Sequence, residues 1–377
     1  MGYIDTIITG LAVFPFLAAL FTLPYTLFQY HSHGSVSKYR TLVIYSFILY
    51  LLIAYFLVTL PLPERDTTIG NCWQDHLSLV PFQDIAAYWQ DKPFGFATIF
   101  GFFRSFALWQ VLFNILLTVP FGVYLRYYFK QSLPRAGVLS FCLSLFFELT
   151  QLSALYGFYP GPYRLAAVED LIANTLGGVV GWQIAYLFMM VLPDRDTIDE
   201  RSRVKGRLVT GKRRFWATFV DYLVSDALLT FLAGGLAIVF PGSERIFDIG
   251  IGTCTVFCIN GLIQALATGG TTLGHAICRM RLASEDGGAA TRGQIVKRYA
   301  LLWLFVELPS MLVVWLNNSQ FLEYLNGYVF VFLIVASNAY MFYYLFNEVV
   351  RRGVHPMPHD TLSGTAYVAI EIPEKKA

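Results

Sequence analysis

Nine long apolar runs dominate this sequence and leave the chain little choice of fold. They fall at roughly 6–28, 41–61, 104–125, 136–155, 170–192, 215–240, 247–267, 299–316 and 327–348. A helical bilayer crossing takes about 20 mostly apolar residues. Lipid offers no water to unpaired amides, so a spanning segment is a helix or a strand of a closed barrel. These runs are continuous and do not alternate, which favours helices. The expected fold class is all-α: a polytopic transmembrane helical bundle of about nine spans. Only 14% of residues are charged, against about 25% in soluble domains. The first run follows Asp5 and has no Lys or Arg before it. A cleavable signal needs a basic start, so this run is read as a true span.

The loops give an orientation. Of the 27 Lys and Arg, 22 fall in the loops after the first, third, fifth and seventh spans and in the C-terminal tail. Basic residues stay on the cytoplasmic side, so the N-terminus is expected outside and the C-terminus inside. Loops 62–103 and 156–169 are then external. The net charge of +2 is small and its basic residues are confined to loops, which argues against nucleic-acid binding. Residues 194–212 form a densely charged stretch. The expected organisation is a five-span unit at 1–193, a cytoplasmic linker at 194–212, a four-span unit at 213–352, and a mobile cytoplasmic tail at 353–377.

Five cysteines show no disulfide framework. Cys254 and Cys258, one helical turn apart in an apolar run, read as packed core. No metal site and no cofactor are expected, and no nucleotide-binding loop is visible.

The first unit carries an ordered set of polar positions. The external loop holds Leu79-Val80-Pro81-Phe82. Asn114 precedes Val119-Pro120-Phe121-Gly122, Glu148 and Gln151 follow in SLFFELTQ, and YRLAAVEDLIANTLGGVVGW contributes Arg164, Asp170, Asn174 and Gly177-Gly178-x-x-Gly181. Glu148 and Gln151 share a helix face, as do Asp170 and Asn174. The short 156–169 loop makes their helices antiparallel neighbours. The four groups are expected to meet near the outer leaflet with Arg164 above them. Ionisable residues inside a span are costly and face a partner or a watery cavity. Three readings follow: a structural network in which Arg164 pairs with Glu148 or Asp170, an outward pocket for an amphiphile headgroup, or a catalytic acid/base pair of Glu148 and Asp170. The glycines permit close helix approach.

This order of motifs, over about 40–192, resembles the VanZ-like family of membrane proteins. The resemblance implies a multi-pass protein of the bacterial cytoplasmic membrane, connected with resistance to the lipoglycopeptide teicoplanin. Its ligand-binding candidates are Glu148, Gln151, Arg164, Asp170, Asn174 and Asn114.

The second unit opens with RRFWATFVDYL, in which Arg214 and Asp221 lie two turns apart on one face. Ala276 to Leu282 alternates in part, as a short strand does. Asp286-Gly287 is a turn signal, and Thr291 with Gln294 is a capping-box pair. Over about 213–350 these features resemble the RDD family, named for one arginine and two aspartates. Arg214 and Asp221 match the first two positions, and Asp286 is taken as the third. Thr272-x-Gly274 and Arg298 match a further stretch, with His275 where the family usually has lysine. With Glu307, these residues make the expected polar cluster of the second unit: Arg214, Asp221, Asp286, Arg298 and Glu307.

Three functions stay open. The first is a cell-envelope protein that binds an amphiphile headgroup at the outer leaflet and lowers sensitivity to lipoglycopeptides such as teicoplanin. Its partner would be a membrane lipid, a lipid-linked envelope precursor or the lipoglycopeptide itself. The second is an ion-coupled transporter or a lipid or solute permease that uses the RDD-like half. The third is an intramembrane enzyme acting on a lipid or glycan headgroup, for which no complete catalytic constellation is present. A homo-oligomer fits any of these.

Overall fold

Each apolar run lies on a helix of the computed structural model, which describes residues 3–90, 92–239, 253–318, 327–347 and 356–371. In chain order the helices begin with α1 (Tyr3–His33), α2 (Lys38–Thr59), the short α3 (Gln83–Trp89) and α4 (Phe96–Phe103), α5 (Phe106–Tyr127) and α6 (Leu133–Leu152). A single left-handed turn, α7 (Ala154–Gly157), leads to α8 (Val168–Val191). Then come α9 (Arg195–Gly206), α10 (Gly211–Val239), α11 (Thr253–Thr268), α12 (Leu273–Ile277), α13 (Arg292–Asn318), α14 (Gly327–Leu345) and α15 (Pro358–Ser363). The strands are β1 (Leu77–Ser78), β2 (Ala166–Ala167), β3 (Met280–Ser284) and β4 (Thr365–Ala369). The chain is an all-α, multi-pass membrane protein. Among the described residues, six helices are long and apolar enough to cross a bilayer: α1, α2, α5, α6, α8 and α10. α11, at 16 residues, is shorter. Part of its expected span, 247–252, and the side chain of Glu307 lie outside the described residues.

Packing divides the chain into two units: residues 1–22 with 38–198, and 23–37 with 199–377. Helix α1 therefore contributes to both.

In the first unit, α8 lies against α5 and α6 at a distance that only glycine allows. A Cβ on Gly177 would strike the Ile115 carbonyl, and one on Gly181 would strike the Val119 carbonyl. Those two pairs sit one turn apart on each helix, so the contact runs along both. Phe121, Leu125 and Ala136 form the adjoining core, with Phe47, Tyr50 and Trp182 packed around it. At one end of the bundle, β1 pairs in parallel with β2, Leu77 to Ala166 and Ser78 to Ala167.

In the second unit, β3 pairs antiparallel with β4 from Met280–Ala369 to Ser284–Thr365. Met280 and Leu282 are fully buried. Tyr30 joins Ala217, Cys278 and Met280 in one core cluster. Ala265, Leu282, Ile295 and Tyr299 form a second. The expected capping box starts α13: Gln294 N donates to Thr291 Oγ1 at 3.3 Å and Thr291 N to Gln294 Oε1 at 2.9 Å.

Within the charged stretch, residues Arg195–Gly206 form α9. One expectation changes here. The tail expected to be mobile instead folds: residues 356–371 supply α15 and β4, and Met357, His359 and Asp360 are buried. The polar, proline-containing sequence hid this, because what orders it is pairing with β3 and charge on distant helices.

Candidate functional site

The first unit's polar residues gather around the N-terminus of α8. The first amides of a helix have no partner within it, and lipid cannot supply one. One side chain from another helix meets part of that need, and others bind the acidic side chains of the first turn. Glu148, on α6, accepts from Ala167 N through Oε2 at 3.0 Å. Glu169 accepts from Phe82 N at 2.9 Å and from Gln110 Nε2 at 3.2 Å, tying the loop before α3 to α8. Asn114 Nδ2 donates to Asp170 Oδ1. Asp170 and Glu169 stand in the first turn of α8, where the helix dipole favours negative charge. One turn deeper, Asn174 Nδ2 donates to Ser144 Oγ at 3.1 Å, and Thr118 Oγ1 donates to the Asn174 carbonyl at 2.6 Å. The Asn174 Oδ1 atom is buried without a hydrogen-bond partner.

The structure thus brings together Glu148, Asp170, Asn174 and Asn114. Gln151 and Arg164 turn elsewhere. Gln151 Nε2 donates to the Val58 carbonyl at 3.0 Å, Tyr163 to that of Thr59 at 3.1 Å, and Arg164 Nη2 to that of Leu60 at 2.5 Å. Val58 and Thr59 end α2 and Leu60 follows it, so these carbonyls have no partner within the helix. Among the described residues, Arg164 forms no ion pair with Glu148 or Asp170. The reading in which Arg164 pairs with a carboxylate is not what the structure holds: the guanidinium binds a carbonyl at the end of α2 instead. Glu169 and Ser144 belong to the network although sequence reading did not select them as site residues. Their signal was position alone, one in the first turn of α8 and the other a turn before Glu148.

The second unit holds a denser set. Asp221 accepts from Thr272 Oγ1 at 2.5 Å and from Gly274 N at 2.7 Å, which holds the start of α12. Gly274 has no room for a side chain, since a Cβ would meet the Ala217 carbonyl and the Asp221 carboxyl. The Thr-x-Gly motif and Asp221 thus form one device. Arg214 does not reach Asp221. It approaches Asp360 Oδ2 at 3.6 Å, while Arg298 pairs with Asp360 Oδ1. Arg298 also donates to Thr365 Oγ1 at 3.2 Å and to the Tyr367 hydroxyl at 2.7 Å.

Asp286 is not part of this cluster. It is exposed in the β3 turn and accepts from Gly288 N at 2.9 Å. The acid between the two arginines is Asp360, which sequence reading placed in a tail. Arg213 was missed as well. It is fully buried and donates to the carbonyls of Cys278, Gly206 and Arg279. Nothing in the Lys-Arg-Arg run distinguishes it from its neighbours.

Two histidines complete the set. His275 Nδ1 accepts from Thr272 N at 3.3 Å, and the ring acts as donor to the Gly270 carbonyl. Burial, helped by the Arg298 charge, pushes His275 down to about 3. His359 hydrogen-bonds the Tyr340 hydroxyl at 2.5 Å. Burial, then Arg298 and Arg214, holds it well below its usual value. Both rings are neutral at physiological pH. A cavity of about 70 Å3 lies among Asp221, His275, Arg298, His359, Tyr340 and Tyr367. Among the described residues, no cluster of His, Cys, Asp and Glu could hold a metal ion.

Comparison with known families matches residues 47–189 to VanZ/LLP1 and residues 209–362 to the RDD family. Comparison with curated proteins and with solved structures gives no match. The second match extends through Asp360, the residue that closes the buried charge cluster. The chain is thus a membrane protein in which a VanZ-like region and an RDD-family region share one polypeptide.

Proposed function

We propose that this chain is a cell-envelope protein whose VanZ-like unit engages the headgroup of an amphiphile and lowers sensitivity to lipoglycopeptides such as teicoplanin. The observation that carries this reading is the buried Asn174 Oδ1, left without a partner in the network that gathers Glu148, Asp170 and Asn114. An orphaned buried acceptor carries a free-energy cost, and a donor from outside would remove it. With Arg164 engaged on the Leu60 carbonyl and the Asn114 and Asn174 side-chain N–H groups on Asp170 and Ser144, the atom left open is an acceptor. That chemistry suits a hydroxyl- or ammonium-bearing headgroup, such as a sugar or an amine, better than a phosphate. The partner is then a membrane lipid, a lipid-linked envelope precursor or the lipoglycopeptide.

The test is susceptibility of a Gram-positive host to teicoplanin and to vancomycin, with membrane levels matched. Glu148→Gln and Asp170→Asn keep acceptor oxygens and remove charge. Selective protection against teicoplanin that both substitutions abolish supports the reading. Protection that survives both, or no protection, makes the cluster a purely structural one.

The cavity of the second unit favours a second reading, a permease for a small solute or ion. It has room for several waters and combines Asp221 and Arg298 with tyrosine hydroxyls. Flux through vesicles containing the purified protein, compared with Asp221→Asn, tests it. Flux equal to that of empty vesicles rejects it.

A further inference from the structure

The stretch between Leu79 and Arg104 falls almost wholly within the loop expected to be external. Its residues are strongly apolar. Phe94 and Phe96 are each 85% exposed, and Leu79, Val80, Phe100 and Phe103 are exposed too. In water this would be a sizeable unpartnered apolar patch. Yet the segment is built, not loose. α3 and α4 fold back on each other as a small hairpin: the Trp89 and Phe102 rings lie 5.2 Å apart, and the Tyr88 hydroxyl donates to the Thr98 carbonyl at 3.0 Å. Its foot is pinned to α8 by the Phe82 N–H on Glu169.

Position along the chain says what covers the exposed rings. α5 has 22 residues, about 33 Å at about 1.5 Å per residue, which matches a hydrocarbon core about 30 Å thick. Phe106, its first residue, therefore sits at one face of that core. Only Arg104 and Ser105 separate it from α4, and Ser105 caps α5 by accepting from Leu108 N at 3.4 Å. α4 cannot be far from the bilayer surface.

We propose that residues 79–104 form an interfacial hairpin, embedded in the headgroup region of the leaflet at which α5 begins, with phospholipid as its partner. Aromatic rings concentrate at that depth in membrane proteins. The two cations of the segment lie over rings, Lys92 Nζ at 3.4 Å from the centroid of Tyr88 and the Arg104 guanidinium at 4.5 Å from that of Phe100. That holds them beside the apolar surface, where anionic headgroups attract basic side chains. Gln83, Asp84 and Gln90 are exposed and polar, giving the hairpin a water-facing side.

The experiment uses the full chain in vesicles of phosphatidylcholine and phosphatidylglycerol, with Cys72, Cys142 and Cys254 replaced by serine. Nitroxide labels go at Phe96→Cys or Phe100→Cys, and at two references: Gln74→Cys in the exposed turn before β1 and Phe113→Cys within α5. Collision with oxygen relative to a water-soluble nickel chelate reports depth. At 96 and 100 the ratio is expected to exceed that at 74 several-fold and to fall short of that at 113. A ratio equal to that at 74 places the hairpin in water and overturns the proposal. Protection from both reagents places it against protein and overturns it equally. As a second readout without labels, Phe96→Trp adds a fluorophore, and its added emission should be quenched by lipids brominated near the headgroup. Added emission that stays unquenched sinks the idea.

Discussion

Asp360 lies between two buried arginines and supplies a carboxylate to both. Arg214 and Arg298 approach it from different helices, and all three side chains are almost wholly buried. Removing one partner of such a pair strands the other, typically at about 3–5 kcal/mol. Asp360→Asn is therefore expected to lower the thermal unfolding temperature of the purified protein sharply. Asp286→Asn, in an exposed turn, should leave it unchanged. His275 sets a pH response. Its folded value is about 3, against about 6.5 when unfolded. The unfolded chain takes up the proton first as pH falls, so the stability held by the neutral ring is complete above about 6.5 and is lost progressively from there toward about 3. Well below 6.5 the slope is about 1.4 kcal/mol per pH unit for one such ring. His275→Gln should flatten the fall in unfolding temperature between neutral pH and pH 5, and His359 accounts for part of what remains. An unchanged slope would show that the ring is protonated in the folded protein.

Helix α8 depends on its glycines more than on its apolar face. Gly177 and Gly181 stand against the Ile115 and Val119 carbonyls of α5, where a methyl group meets backbone. Overpacking of this kind costs roughly 1–3 kcal/mol. Gly177→Ala and Gly181→Ala are each expected to destabilise the protein measurably. Gly137→Ala is the control, since a Cβ there meets Val179 at an ordinary 3.8 Å. The glycine spacing was readable in the sequence because close approach needs a missing side chain at fixed intervals. The partners of Gln151 and Arg164 were not readable. Helix periodicity shows which face Gln151 occupies and says nothing of Arg164, which lies in the loop before α8. It does not show that the carbonyls ending α2 lie within reach. α15 and β4 were illegible for a related reason. A proline-containing polar stretch carries no periodic signal, and its order comes from β3 and from charges more than sixty residues earlier.

At the scale of the whole chain, the boundary between units does not follow the sequence. Residues 23–37 belong with 199–377. Tyr30 packs with Ala217, Cys278 and Met280, and Ser35 Oγ donates to the Ser202 carbonyl at 2.6 Å. Residues 199–377 expressed alone are thus expected to aggregate, and co-expression with residues 1–198 should restore a soluble, detergent-stable product on size exclusion. Stable 199–377 without that help would show the α1 segment to be dispensable. The two spanning regions and their order could be read from the sequence, because bilayer thickness fixes run length. Which segment completes which unit could not, since that is decided by contacts distant in sequence. Asp360 carries one last consequence, for biogenesis. Both arginines leave the ribosome long before their counter-charge does. A nascent chain stalled or nicked ahead of that residue lacks the carboxylate that both guanidinium groups approach, so this part of the second unit can close only after residue 360 has been made.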